Sequence, residues 1–262
     1  MPNHTSDQHE WFLKSCQRID PFTDFYVWQK GKEKARPPNN WVIKIDYQRH
    51  QQSIFAFLLF FQMSVFGGSA WSYNEIRQEF YLHQFYKEQP DLNLRNALVV
   101  SELQKVLRFW LDLGVAGFRI DAVPHFFEDE RFLDEKVVPD KLPNTYESVT
   151  RDYTYNLQPD INELLKKFRD VLNEYVIKDG MARLMMTEAY VSDDELMEYY
   201  GEIDEDTQIG SISQMPVNFG LISNFSTKKD VTVSKVLFFS LFLKKLFAKL
   251  YSFSYLSRSK TF

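Results

Sequence analysis

Twice in this chain an amphipathic helix pattern stops at a glycine and gives way to a short apolar run that ends on a carboxylate. In the first instance Val99, Leu103, Val106, Leu107, Trp110 and Leu111 recur at helical spacing across 96–113. Gly114 closes that helix, and GVAGFRIDAV (114–123) follows. In the second, Ile161, Leu164, Leu165, Phe168, Leu172 and Tyr175 share one face of 160–177. Gly180 lies just past its end, and ARLMMTEAY (182–190) follows. Each apolar run reads as a buried strand. A short helix near 193–200 and a strand near 211–222 continue the alternation, which predicts an α/β chain: a parallel sheet covered by helices. Residues 1–93 are rich in Trp, Tyr, Asn and Pro and poor in helical periodicity, and they read as a loop-heavy segment.

Composition excludes several functions. Apolar residues make up 44% and charged residues 26% of the 262, which fits a globular chain and not a fibre or a multi-span membrane protein. A net charge of −5 argues against a nucleic-acid-binding surface, which needs a basic face. The single cysteine, Cys16, rules out an internal disulfide framework and a four-thiolate zinc site. The opening MPNHTSDQHEWF has neither the basic run nor the apolar stretch of a signal peptide.

Two blocks stand apart from this average. VIKIDYQRHQQSIFAFLLFFQ (42–62) turns almost wholly to Phe and Leu in its second half. VLFFSLFLKKLFAKLYSFSYLSRSKTF (236–262) carries 5 basic residues, no acidic ones and 8 aromatics. The tail's longest uncharged run, 236–243, is too short to span a bilayer. One reading makes the tail a basic amphipathic helix on a membrane surface. The preferred reading takes both blocks as translated introns. Each opens with valine, whose codons begin GT, and the first closes Phe60-Phe61-Gln62, as a pyrimidine tract and an AG end would be translated.

The chemistry sits at the ends of the two buried strands. In a parallel β/α barrel, catalytic groups come from the C-terminal ends of strands. Asp121 and Glu188 hold that position on consecutive strands. Arg119 lies two residues before Asp121, on the same face, and a cation there favours an ionised nucleophile. Glu188 has no cation nearby in sequence and follows the apolar Leu184, Met185 and Met186, a setting suited to a proton donor. Two carboxylates in unequal environments are what glycoside hydrolysis requires.

The motifs then give a resemblance. GFRIDAV and TEAY resemble the nucleophile and acid/base motifs of the α-amylase superfamily, glycoside hydrolase family 13. PNHTSDQHEWF resembles the motif after the third barrel strand. QPDLN (89–93), SVFGGSAW (64–71), YLHQF (81–85) and GFRIDAVPHFFE (117–128) are similar to insect-type maltases and α-glucosidases of the oligo-1,6-glucosidase branch. The fold implied is a partial (β/α)8 TIM barrel, about strands 4–6 with their helices, plus a loop-rich inserted domain. The division expected is 1–95 for the end of the third strand and the inserted domain, 96–235 for the central barrel, and 236–262 for a non-family tail.

The resemblance implies Asp121 as nucleophile, Glu188 as acid/base and Arg119 as the residue that orients Asp121. His4 would bind the sugar, with Asn3 shaping its loop. A retaining mechanism follows, with carboxyl groups about 5–5.5 Å apart. His125 either borders the site or lies on a surface loop. Trp11, Phe12, Trp71 and Tyr73 either stack on sugars or pack in the core. The substrates implied are maltose-like oligosaccharides or sucrose, with no nucleic acid and no membrane contact. No cofactor is expected in the chain, and Ca²⁺ is implied only for the full-length parent, which would be secreted. Relative to the family, the chain reads as an inactive fragment carrying two of three essential carboxylates. The alternative is a non-catalytic relative such as an amino-acid transporter heavy chain, whose degraded motifs the intact Arg119, Asp121 and Glu188 do not match.

Overall fold

The computed structural model describes residues 3–32, 36–42, 68–143, 145–202 and 211–217. They divide into two compact units, Met1–Lys105 with Asp121–Ile161, and Val106–Ile120 with Asn162–Phe262.

The first unit is built on aromatic residues. Helix α1 (Glu10–Cys16) is capped by the His9 side chain, which accepts from the Trp11 backbone N–H. Strands β1 (Trp28–Gln29), β2 (Trp71–Asn74) and β3 (Glu79–Leu82) form an antiparallel sheet in the order β1-β3-β2. The β2–β3 connection turns at Asn74, whose Oδ1 accepts from Arg77 N at 2.8 Å, and at Gln78, which takes a left-handed φ of 59°. Val27, Trp41, Ala70, Trp71, Phe80 and Leu82 pack together, with Phe132 and Tyr153 against them. The indoles place their polar ends deliberately: Trp71 Nε1 donates to Asn39 Oδ1 at 2.8 Å, and Trp41 Nε1 donates to Leu133 O at 2.9 Å.

Two buried charges hold the loops of this unit. Arg77 lies over the Trp28 ring and donates to the carbonyls of Ser15 (2.9 Å) and Thr23 (2.5 Å) and to Glu79 Oε2 (2.7 Å). Glu135 accepts from Tyr153 N (2.7 Å), Asp152 N (3.0 Å) and Thr150 Oγ1 (2.7 Å). The segment read as loop-heavy thus contains a three-stranded sheet. Strands of two to four residues are too short for their alternation to show in a sequence.

Val42 and Ser69 form an antiparallel bridge, and Ala70 N donates to Trp41 O at 2.8 Å. The inserted block beyond Val42, Met63 and the tail 236–262 lie outside the described residues.

The second unit carries the parallel sheet. Strands β4 (Gly117–Ile120), β5 (Leu184–Glu188) and β6 (Met215–Val217) are parallel in that order. The helices are α2 (Ala97–Asp112), α3 (Asp160–Asp179) and α4 (Asp193–Glu198), and the division between units falls within α2 and within α3. Asn96 Oδ1 accepts from Leu98 N at 2.9 Å at the start of α2. Ser192 and Glu195 form a capping box on α4. Gly180 ends α3 with φ +73°, a conformation other residues rarely adopt. The predicted helices and strands are all present, each within a few residues of its expected span; the last expected strand is described only to Val217.

All six residues of the α3 stripe are buried. On α2, Val99, Leu103, Leu107 and Leu111 are buried, but Val106 and Trp110 are 40% and 47% exposed. The buried stripe turns toward Leu107 and Leu111 along the helix and leaves those two at its edge.

Gly117 is required by close approach. A Cβ there would meet Leu184 O at 2.3 Å and Leu184 Cβ at 2.9 Å. The missing side chain lets β4 lie against β5.

Candidate active site

The register of the parallel pair explains how the functional groups of the second unit are presented. Pairing runs from Gly117↔Leu184 to Ile120↔Thr187. Glu188 is the last residue of β5 and pairs with Val217 of β6. Arg119 is registered with Met186, two residues before Glu188, so their side chains lie on one face of the sheet. Arg119 Nη2 donates to Glu188 Oε2 at 2.5 Å. The carboxylate is buried, at 8% exposure.

This pair corrects one expectation. The sequence offers Glu188 no cation, because Arg119 is 69 positions away; the parallel register brings the two together. The strand end is braced from beside and below. Thr187 Oγ1 and Ser213 Oγ are 3.1 Å apart, and Ser213 Oγ donates to Met185 O at 3.1 Å. Gln214 Oε1 accepts from Met185 N (3.1 Å) and from the buried Arg169 (2.5 Å). Burial pushes the Arg169 guanidinium down to about 10.

In the first unit, Asp121 follows directly on the last residue of β4. The next residue, Ala122, takes a left-handed conformation, φ 45° and ψ 43°, and a 3₁₀ turn, Val123–His125, follows. A left-handed alanine costs about 1–2 kcal/mol, strain that surrounding contacts must hold in place.

Asn3 and His4 belong to the same unit and are joined: Asn3 Oδ1 and His4 Nδ1 are 3.1 Å apart. Gln89 Nε2 lies 2.8 Å from His4 Nε2. An amide nitrogen only donates, so His4 Nε2 accepts and Nδ1 carries the proton. Burial holds the imidazole below its usual range, and the Asp121 carboxylate pulls the other way. The Asp121 charge therefore acts on His4 within this unit.

His125 is not on a surface loop. It is 3% exposed, and its ring packs against Phe85 and Tyr155 at 5.3 and 4.8 Å. Phe12 and Trp71 are core residues, and Tyr73 is 39% exposed.

Sequence reasoning assigned no role to two buried carboxyl groups here. Burial raises Asp91 well above the carboxylate range, and Asp91 Oδ2 accepts from Gln84 N at 3.3 Å. Burial pushes Glu128 up to about 7 against the pull of Arg95. Asp91 lies inside QPDLN, so the motif itself was the available signal. Among the described residues no group of three or more His, Cys, Asp or Glu side chains is placed to hold a metal ion. Nor is any described helix long and apolar enough to cross a membrane.

Asp121, directly after β4, and Glu188, the last residue of β5, each stand at the C-terminal end of a parallel strand, the position from which α/β folds present functional groups. The chain belongs to the α-amylase catalytic-domain family, whose model matches residues 1–254. It is 42% identical over 230 residues to an alpha-glucosidase of Culex pipiens, covering 88% of this chain and 35% of that protein. It is 43% identical over 246 residues to a salivary alpha-glucosidase of Aedes aegypti, covering 88% and 37%. Among solved structures it is similar to the alpha-glucosyl transfer enzyme XgtA, with a TM-score of 0.65 and 29% identity over 94% of this chain and 40% of the other. The chain spans about a third of the length of these curated relatives.

Proposed function

We propose that the chain is part of an α-glucosidase of the maltase type, hydrolysing terminal α-linked glucose from maltose-like oligosaccharides or sucrose with retention of configuration. The observation that carries this reading is the placement of Asp121 directly after β4 and of Glu188 at the end of β5, in a chain of this family. Strands β4 to β6 correspond to about the fourth to sixth strands of an eight-stranded barrel. Secretion of the full-length gene product is part of the same proposal, supported by the salivary relative.

In this mechanism Asp121 Oδ attacks the anomeric carbon as the glycosidic bond breaks, and Glu188 gives its proton to the departing oxygen. Glu188, now a carboxylate, takes a proton from water, and the hydroxide so formed cleaves the glucosyl ester and regenerates Asp121. The structure adds a condition. Glu188 is the ion-pair partner of Arg119 through Oε2, so the proton it donates in this mechanism is carried on Oε1. His4, in the same unit as Asp121 and oriented by Asn3 at Nδ1, hydrogen-bonds a sugar hydroxyl that takes the place of Gln89 at Nε2.

The test is hydrolysis of a chromogenic α-glucoside by the full-length gene product, with the released anomer followed by NMR. Turnover should release α-glucose first and fall about 10³-fold or more in Asp121→Asn and in Glu188→Gln. Release of β-glucose first would refute retention. Unchanged turnover in Asp121→Asn would refute the nucleophile, and a folded product without turnover would point to a non-catalytic relative.

A further inference from the structure

We propose that Gln84 is a positioning residue: its side-chain amide clamps the imidazole and the carbonyl of His125 and so sets the turn that leaves Asp121. Its significance for catalysis rests on the reading of Asp121 as the nucleophile.

Gln84 is 5% exposed and spends both ends of its amide on one residue. Nε2 donates to His125 O at 2.9 Å, and Oε1 lies 2.9 Å from His125 Nδ1. An amide oxygen only accepts, so the contact requires a proton on His125 Nδ1. The clamp therefore selects one tautomer and fixes the ring, while the same amide pins the backbone.

The backbone it pins is special. His125 closes the 3₁₀ turn, with His125 N donating to Ala122 O at 3.0 Å, and Ala122 is the left-handed residue immediately after Asp121. His125 O also accepts from Asn3 Nδ2 at 2.9 Å. One carbonyl thus gathers Gln84 and Asn3, and Asn3 passes the constraint to His4 through Oδ1. Phe85, next in sequence to Gln84, lies against both imidazoles, 5.5 Å from His4 and 5.3 Å from His125. Gln84 Oε1 and Nε2 cannot be replaced by an apolar group of the same size without leaving the buried His125 Nδ1–H short of its acceptor.

Long-range ¹H–¹⁵N correlation of the histidine side chains tests the clamp without reference to activity. The full-length gene product should show both His125 and His4 protonated at Nδ1. Gln84→Leu should abolish the pure Nδ1–H state of His125. Gln84→Glu keeps an acceptor for Nδ1 but loses the donor to His125 O, so it should keep the His125 tautomer.

In the chromogenic assay, kcat should fall about 10-fold or more in Gln84→Leu with KM changed less than threefold, and Gln84→Glu should recover part of the loss. A His125 protonated at Nε2 in the unaltered protein, or one unchanged in Gln84→Leu, overturns the clamp. A tautomer change with unaltered kcat overturns the positioning role. If Gln84→Leu does not fold, Gln84→Glu decides alone: a retained tautomer with reduced kcat supports the proposal, and a lost tautomer or unaltered kcat overturns it. Full turnover in Asp121→Asn, alongside an intact clamp, would instead locate the failure in the nucleophile assignment.

Discussion

Replacing Gly117 by alanine tests the strand pairing that presents Arg119 to Glu188. In an open strand position, Gly→Ala stabilises by about 0.4–1 kcal/mol, because the unfolded chain loses freedom. At Gly117 the added Cβ would lie 2.3 Å from Leu184 O and 2.9 Å from Leu184 Cβ. The first of these is backbone of the paired strand, so no rotamer change relieves the clash; β4 and β5 must separate. Forcing one extra carbon into a packed site costs about 1–3 kcal/mol, which exceeds the entropic gain. The net expectation is a loss of about 1–2 kcal/mol, a fall of about 2–8 °C in Tm for a chain of this size. Gly68→Ala is the matched control, since a Cβ there meets nothing within 4 Å. Denaturation of both variants by urea and by heat, followed by circular dichroism, gives the comparison. If Gly117→Ala proves as stable as Gly68→Ala, the β4–β5 register is wrong, and with it the alignment of Arg119 beside Glu188.

Further outcomes follow from the buried charges of the first unit. Arg77→Met strips the Ser15 and Thr23 carbonyls of a donor and leaves Glu79 with Arg18, at 3.2 Å, as its remaining cation; urea denaturation should show a loss of about 3 kcal/mol, and a loss below about 1 would contradict the structure. Glu128 is pushed up to about 7 by burial, with Glu130 and Asp160 adding to the rise and Arg95 opposing it. Its folded form therefore binds a proton more tightly than its unfolded form, so its contribution to stability is full below about pH 4.5 and is lost as pH rises through 7. Glu128→Gln should remove that slope, gaining on the parent by an amount of order 3 kcal/mol between pH 4.5 and pH 8. An equal stability difference at both pH values would show that the carboxyl is not held in this way.

What could be read from the sequence was what repeats along it. The α3 stripe, the two apolar strands and their terminal glycines have periods longer than the noise of single residues, and all appear in the structure. The carboxylates were found because each ends a strand. The Arg119–Glu188 pair was hidden, because it depends on a register between segments 69 positions apart. The sheet of the first unit was hidden for another reason: its strands, as short as Trp28–Gln29, are held by aromatic packing and by Arg77, and neither leaves a period. Burial was equally invisible at His125, Asp91 and Glu128. A histidine or carboxylate three residues from a turn looks the same in sequence whether water or a phenylalanine ring lies against it. Gln84 stood in a recognised motif, YLHQF, but only the structure shows that its amide meets both the imidazole Nδ1 and the backbone carbonyl of His125.

The most direct test of the central claim is covalent trapping. The full-length gene product, treated with a fluorinated α-glucosyl fluoride that forms the glycosyl ester but hydrolyses slowly, should acquire one glucosyl unit. Peptide mass spectrometry should place it on the Asp121 carboxyl within GFRIDAV, and Asp121→Asn should abolish the label while Glu188→Gln leaves its position unchanged. A label on any other carboxyl, or one that survives Asp121→Asn, would contradict the account.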